Sequence, residues 1–194
     1  YHESGHAIIP FYSPASDPIH KATIIPRGRA LGMVMRLPED DRYSMTREKL
    51  NADIAVAMGG RVAEELIFGY EKVTSGASSD IEHATKIAKA MVTKWGMSDE
   101  IGPILHEASN EEFISMDKAN IIDEEVKKVV MLGYNTAQAL LKKHSKDLHK
   151  LAEALLKYET LTGEEIKELL TSKSFTKGKN DASSNYSSGR KTTL

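Results

Sequence analysis

A chain of 194 residues is long enough for one substantial hydrophobic core, and two full domains would each be small. Apolar residues make up 40% and charged residues 28% of it, which excludes a wholly disordered or fibrous protein. Its 26 basic and 28 acidic residues are scattered, so no basic patch favours nucleic acid as a partner. Because there is no cysteine, any metal ion must be held by nitrogen and oxygen ligands.

The first third of the chain predicts two helices with a small β-ribbon between them. Residues 1–12 have the pattern of the rear of a helix, and a start without methionine is expected of a piece cut from a longer polypeptide. Two β-prone runs follow, Lys21–Ile25 and Leu31–Leu37, separated by turn-forming residues. Thr46–Phe68 then carries apolar residues at helical spacing, interrupted by a glycine pair that permits a bend or close packing.

The middle of the chain predicts a further helix after a loop over residues 69–78. Ser79, with Glu82 three residues later, has the pattern of a capping box, and the helix is expected to reach Trp95. Its apolar residues recur on one face, which predicts the following buried stripe: Ile81, Ala84, Ile87, Ala88, Met91 and Trp95.

The last third predicts a long helix over about residues 117–143 and a second helix around Leu148–Leu156. A capping box at Thr162 and Glu165 predicts the start of a third, short helix that runs through Leu170. From residue 172 the composition turns polar, which predicts a disordered tail over 172–194 behind a domain of residues 1–171. No apolar run approaches the roughly 20 residues that cross a bilayer. The fold class is therefore mainly α, with a small β-ribbon beside the first helix.

His2-Glu3-Ser4-Gly5-His6 is the motif that indicates chemistry. On a helix, the spacing of four places both imidazoles on one face, where they can hold a single metal ion, most naturally zinc. Glu3 points slightly aside, within reach of a metal-bound water, which suits a general base. The alternative is that these residues lie on a solvated helix with no metal at all.

A catalytic zinc needs a third protein ligand and an open position. The sequence leaves four candidates: Asp80, Glu64, Glu65 and His83. The other histidines, at positions 20, 106, 144 and 149, lie in a loop or on charged stretches and are expected at the surface. The motif by itself does not choose among the candidates, and Asp80 could simply complement the dipole of a helix first turn.

Several separated segments of residues 1–170 resemble the FtsH family of ATP-dependent zinc proteases. They are Tyr1–Ala7, Ile25–Gly28, Leu31-Gly32, Leu37-Pro38, Gly59–Glu65, Thr74–Asp80 and Tyr158–Leu161. The resemblance implies that Asp80 joins His2 and His6 as a zinc ligand, with one Zn²⁺ per chain, and that Glu3 is the catalytic residue. Ser4 stands where the family most often has alanine, a change of little size. Glu64 and Glu65 could be outer partners of the ligands or plain surface charges.

The resemblance also implies an architecture for the longer protein. A membrane anchor and an AAA+ ATPase module would precede Tyr1, and the whole would assemble as a homo-hexamer that degrades unfolded polypeptides at the inner membrane of bacteria, with its protease domain in the cytoplasm, or at an organellar membrane. ATP and Mg²⁺ would belong to that ATPase module, because no G-x-x-x-x-G-K-[ST] phosphate loop occurs in these residues.

Two further functions stay open. The apolar helix stripes could make an oligomer interface in an assembly domain whose histidines are incidental, or the zinc site could hydrolyse something other than peptides. Residues 30–37 could also present a strand edge along which an extended substrate pairs through its backbone.

Overall fold

The computed structural model describes residues 1–26, 28, 31–38, 44–106, 116–172 and 175–177. Within these residues lie six α-helices and three short strands. In chain order they are α1 (His2–Tyr12), β1 (Ile19–Thr23), β2 (Met33–Arg36), α2 (Arg47–Phe68), α3 (Ser78–Thr93), α4 (Met116–Lys143), α5 (Ser145–Tyr158), β3 (Thr160–Thr162) and α6 (Gly163–Thr171). The prediction of a mainly α domain with a small sheet is confirmed.

Helix α1 lies against α2 at a contact between glycines. A Cβ added to Gly5 would lie 2.2 Å from the carbonyl oxygen of Gly59, and one added to Gly59 would lie 2.7 Å from that of Gly5. The two backbones therefore touch more closely than any side chain allows. Helix α2 runs unbroken from Arg47 to Phe68 through the glycine pair, and Gly59 permits its close packing against α1.

The sheet has the order β2-β1-β3, with both pairings antiparallel. The predicted ribbon of β1 and β2 is present, whereas β3 is not predicted and is only three residues long. Glu159, at a φ of 60°, ends α5 and turns the chain so that Thr160–Thr162 pairs with β1. This pairing buries Leu161 completely in the core shared by the helices.

Helix α3 begins differently from the prediction. It starts at Ser78 with Ala77 at the N-cap and no side-chain cap, so the capping box expected at Ser79 and Glu82 is wrong. The physical reason is that a 3-10 turn over Ser75–Ala77 runs directly into the helix, and Thr74 caps that turn instead. The second predicted capping box is confirmed, because Thr162 and Glu165 exchange both hydrogen bonds at the start of α6.

The buried stripe predicted for α3 is correct only in its middle. Ala84, Ala88 and Met91 are fully buried, whereas Ile81 is 43% exposed and Trp95 46% exposed. Trp95 lies beyond the last residue of the helix, so helical spacing does not apply to it. The predicted helices that became α4 and α5 are confirmed.

Two of the histidines expected at the surface are in fact half-buried. His20 and His149 are exposed, but His106 is partly covered. His144 is stacked on the ring of Tyr12, with the ring centroids 3.5 Å apart. None of these side chains belongs to the group around His2 and His6 described below.

The predicted tail over 172–194 lies largely outside the described residues, so its disorder and the domain boundary at residue 171 stay predictions. Within the part described, Phe175 contacts the ring of Tyr158 edge-on, with centroids 5.9 Å apart, and Lys177 Nζ donates to the Thr160 carbonyl. Among the helices of the described part, none combines the length and apolarity that would cross a bilayer.

Candidate metal centre

Three side chains from two helices converge at one point. His2 and His6 lie one turn apart on α1, with their Nε2 atoms 3.0 Å from each other, and each Nε2 lies 3.3 Å from Asp80 Oδ2 in the first turn of α3. In the described part of the chain, these are the His, Asp and Glu side chains close enough to share one ion. Ligands about 2.0–2.1 Å from a tetrahedral zinc lie roughly 3.3 Å apart, so the spacing fits that metal.

The hydrogen bonds on the far sides of both imidazoles leave the converging nitrogens free to bind a cation. His6 Nδ1 lies 2.7 Å from the carbonyl oxygen of Val56, which can only accept, so Nδ1 must carry the proton. His2 Nδ1 lies 2.8 Å from a carboxylate oxygen of Glu64. While both imidazoles are neutral, each Nε2 therefore presents a lone pair towards the other and towards Asp80. These three electron-rich atoms need a shared positive charge, which is a metal ion or, without one, a proton on an imidazole.

Glu64 joins the ligands to the loop before α3. One of its carboxylate oxygens accepts from His2, and the other accepts from the backbone N–H of Thr74 at 2.9 Å and from the Thr74 hydroxyl at 3.1 Å. The residue is 8% exposed. It orients His2 and anchors the turn that leads to Asp80, so it supports two of the three converging side chains without touching the point where they meet.

The carboxylates and His2 have shifted pKa values because of these contacts. Burial raises the pKa of Asp80, but hydrogen bonds from His2 and His6 outweigh it and leave that pKa far below its ordinary range. Burial likewise raises the pKa of Glu64, and the bonds from Thr74 and His2 bring it below the usual value. For His2, burial lowers the pKa, while the hydrogen bonds to Asp80 and Glu64 and the charge of Glu3 raise it overall.

Glu3 faces the same space but has a different electrostatic setting. Burial raises the pKa of its carboxyl, and the partly opposing charges of His6 and His2 leave it above the ordinary value. A Cβ added at Gly32 would lie 2.6 Å from Glu3 Oε1, so the chain just before β2 lies directly against this carboxylate. Glu3 is thus held at the mouth of the site and is not drawn among the ligands.

A cleft of about 620 Å³ opens over the converging side chains. Its lining comes from α1, from β2 and the residues just before it, from α2, and from α3 and the loop before it. The lining includes the following residues: Leu31, Gly32, Met33, Val34, Thr74 and Gly76. Since β2 is at the edge of the sheet as far as the structure describes it, an extended chain in this cleft would lie beside a strand with an unpaired side.

The model of Peptidase family M41 matches residues 1–169. The chain belongs to peptidase family M41. The ATP-dependent zinc metalloprotease FtsH of Rickettsia bellii (strain RML369-C) is 62% identical to it over 182 residues, which cover 89% of this chain and 28% of the relative. The FtsH of Caulobacter vibrioides (strain NA1000 / CB15N) is 51% identical over 181 residues, with 88% and 29% covered.

A relative from a plant is similar to the same extent. The Arabidopsis thaliana protein named ATP-dependent zinc metalloprotease FTSH 11, chloroplastic/mitochondrial, is 52% identical over 173 residues, covering 89% of this chain and 21% of the relative. The chain spans less than a third of the length of each of these proteins.

In this M41 chain, three of the four sequence candidates for a third ligand lie outside the converging group. Glu65 accepts from the Tyr134 hydroxyl at 2.8 Å, on the side of α2 that faces α4. His83 lines the cleft but does not belong to the converging group, and Glu64 contacts a ligand from behind. Asp80 is the candidate whose carboxylate lies beside both imidazoles.

Sequence reasoning missed the supporting contacts of the M41 site. The Val56 carbonyl and Thr74 both fix the geometry through hydrogen bonds, and no pattern in the sequence marks them, because they depend on how α1 lies against α2. Gly60 was noticed only as half of a glycine pair. The structure places it directly beneath the two imidazoles.

Proposed function

We propose that this chain is the zinc endopeptidase part of a longer ATP-dependent protease, with His2, His6 and Asp80 as the zinc ligands and Glu3 as the catalytic base. The observation that carries the proposal is the convergence of two imidazole nitrogens and one carboxylate oxygen within 3.3 Å of one another. Two nitrogens and an oxygen with a solvent-facing side are the ligand set of a catalytic zinc, whereas structural zinc sites are closed. The chain's membership of family M41 supports peptides as the substrate.

Zinc bound there would lower the pKa of a water molecule from about 15.7 to about 7 and polarise the carbonyl to be attacked. The chain's own residues would prepare that chemistry. Glu64 and the Val56 carbonyl hold both imidazoles in the tautomer whose Nε2 is free. The low pKa of Asp80 keeps its carboxylate ionised at any physiological pH.

Glu3 would transfer the proton between the attacking water and the leaving amine. Its carboxylate accepts a proton from the attacking water and then donates it to the amine of the departing peptide, so that it returns to its starting state with each cleavage. Burial favours this role, because a raised pKa brings a carboxyl closer to the operating pH, where a base both takes up and releases protons readily.

The strand edge of β2 would hold the substrate. An extended peptide that adds to the edge would be bound through main-chain hydrogen bonds, which depend little on side chains and so give loose sequence preference. The closeness of Gly32 to Glu3 supports this placement, since a chain lying along β2 passes the base at contact distance. Unfolded or threaded polypeptides can adopt that extended form, whereas folded proteins cannot.

The remaining features would belong to a longer protein. Proteins of which this chain covers less than a third are named ATP-dependent zinc metalloproteases. We propose a homo-hexamer whose AAA+ module, with ATP and Mg²⁺, threads unfolded and membrane proteins to this site. We also propose an anchor in the bacterial inner membrane with the peptidase facing the cytoplasm, or the corresponding place in an organelle. Nucleic acid is not expected as a partner.

Metal analysis together with cleavage of a short unstructured peptide tests the proposal on the 194-residue chain. Wild type should hold one zinc per chain. Glu3→Gln should keep the zinc and lose at least about a hundredfold in cleavage, in line with the contribution of general-base catalysis. Asp80→Asn should lose both. If Asp80→Asn binds zinc and cuts the peptide like wild type, the third ligand is wrong.

The same experiment separates the competing function of a helical assembly domain. That function predicts a chain that folds and oligomerises equally well without metal and that shows no cleavage, whatever residue stands at position 3. A zinc site that cleaves a non-peptide ester but no peptide would instead favour a different hydrolase.

A further inference from the structure

Gly60 lies on the face of α2 that supports the two histidines. A Cβ built on it would lie 2.5 Å from His2 Cε1, 2.5 Å from His2 Nε2 and 2.5 Å from His6 Nε2. These distances are shorter than any carbon atom tolerates, and two of the three atoms are the nitrogens that converge with Asp80. The absence of a side chain at position 60 therefore makes the room in which both imidazoles reach the same point.

Backbone conformation does not explain this glycine. The positive-φ glycines of the described residues are Gly28, Gly69, Gly96 and Gly102, and Gly60 is not among them. It lies in the interior of α2, where glycine is less favourable than alanine. Since the helix itself would be more stable with alanine, the reason for glycine must be the space that it leaves.

The neighbouring Gly59 has a different surrounding. Its added Cβ would meet the backbone of Gly5, at 2.7 Å from the carbonyl oxygen and 2.9 Å from the carbonyl carbon. A backbone in a packed helix moves only with the whole helix, so crowding there disturbs the fold in any state of the protein. The atoms near Gly60 are instead the ends of two side chains, whose rotation breaks the hydrogen bonds to Glu64 and the Val56 carbonyl but leaves both helix backbones in place.

From these observations we propose that Gly60 is a positioning residue for the metal centre. It contributes little to the metal-free fold, and it keeps open the space that His2 and His6 need when they bind one ion together. The neighbouring Gly59, by contrast, serves the packing of α1 on α2. This inference rests on the proposed zinc site. It goes beyond that site by assigning different tasks to two adjacent glycines.

The matched pair Gly60→Ala and Gly59→Ala tests the division of tasks, because both add one methyl group at adjacent positions of α2. Two quantities are measured on the 194-residue chain: the Tm of the metal-free protein in a chelator, and zinc affinity by competition with a fluorescent chelator. Gly60→Ala should change the metal-free Tm by no more than about 3 °C, because better helix propensity offsets the hydrogen bonds that the displaced imidazoles lose. Its zinc affinity should fall by about tenfold or more, the size typical for a lost support of metal ligands.

Gly59→Ala should lower the metal-free Tm by about 3–10 °C, as expected for overpacking between helices. The inference is overturned if Gly60→Ala binds zinc within twofold of wild type. It is overturned equally if Gly60→Ala lowers the metal-free Tm as much as Gly59→Ala does, or fails to fold, because the crowding would then not be confined to movable rings.

Failure of the proposed zinc site would look different. In that case wild type would bind zinc no more tightly than His6→Ala does. The two glycine variants would then have the same zinc affinity as wild type. Tight binding by wild type, lost in His6→Ala, establishes the site on which the glycine comparison depends.

Discussion

Glu64→Gln is a substitution whose consequence can be worked out atom by atom. The carboxylate of Glu64 accepts three hydrogen bonds, one from His2 Nδ1 and two from the backbone N–H and hydroxyl of Thr74. Glutamine has nearly the same shape but only one accepting oxygen, and its other end is an NH₂ group that donates. It can therefore satisfy one side of the contact and not the other.

Either orientation of the glutamine weakens the metal centre. If its oxygen faces His2, its NH₂ group points at the backbone N–H of Thr74, and the turn that leads to Asp80 is pushed away. If its NH₂ group faces His2 Nδ1, that nitrogen must accept, and the proton moves to Nε2, the atom that should bind the ion. Supports of this kind are typically worth 10–100-fold in metal affinity, which is about 1.4–2.7 kcal/mol.

Zinc affinity, measured by chelator competition at constant pH, checks this prediction. The matched control is Glu65→Gln, the next residue of α2, whose carboxylate accepts from Tyr134 at 2.8 Å and has no contact with the ligands. We expect the control to bind zinc like wild type and to lose only a little thermal stability. Equal zinc affinity of Glu64→Gln and wild type, or an equal loss in both variants, would refute the reasoning.

Two more predictions concern pH and the strand edge. Without metal, the raised pKa of His2 contributes stability that is complete below the ordinary pKa of 6.5 and is lost as pH rises through the pKa of the folded protein. Zinc affinity should rise over the same pH range, because the ion replaces the proton on the imidazole. The lowered pKa values of Asp80 and Glu64 contribute stability that is lost as pH falls below their ordinary values of 3.8 and 4.5. For the edge, Val34→Pro and Met35→Pro remove N–H groups that point to opposite sides of β2, so one variant should keep fold and zinc yet lose peptide cleavage.

Each of these predictions has a clear contrary result. Thermal unfolding of the metal-free chain between pH 4 and pH 9 should give a maximum, and a Tm that still increases above the ordinary pKa of the imidazole would contradict the assignment for His2. For the strand, circular dichroism and zinc content identify the variant that keeps its fold. If that variant cleaves the peptide at the wild-type rate, β2 is not where the substrate binds.

The order and type of most helices could be predicted from the sequence because they depend on local patterns. The apolar spacing that predicted α4 and α5 and the capping box at Thr162 act over a few residues, so the tertiary structure had little to change. Where local signals compete, prediction was wrong. The predicted capping box at Ser79 does not form, because a 3-10 turn runs directly into the helix. Strand β3 is not predicted, because three residues form a strand only when β1 lies beside them.

By itself, the sequence determined that two imidazoles one helical turn apart could share an ion and that Glu3 would lie beside them, since a spacing of four on a helix has one geometric outcome. It could not choose the third ligand from residue types, because Asp80, Glu64, Glu65 and His83 are all chemically suitable. Only the packing of α1 and α3 on α2 decided that Asp80 faces both imidazoles while Glu64 stands behind one. Contacts between residues more than sixty positions apart depend on how whole helices pack, and no local pattern specifies that.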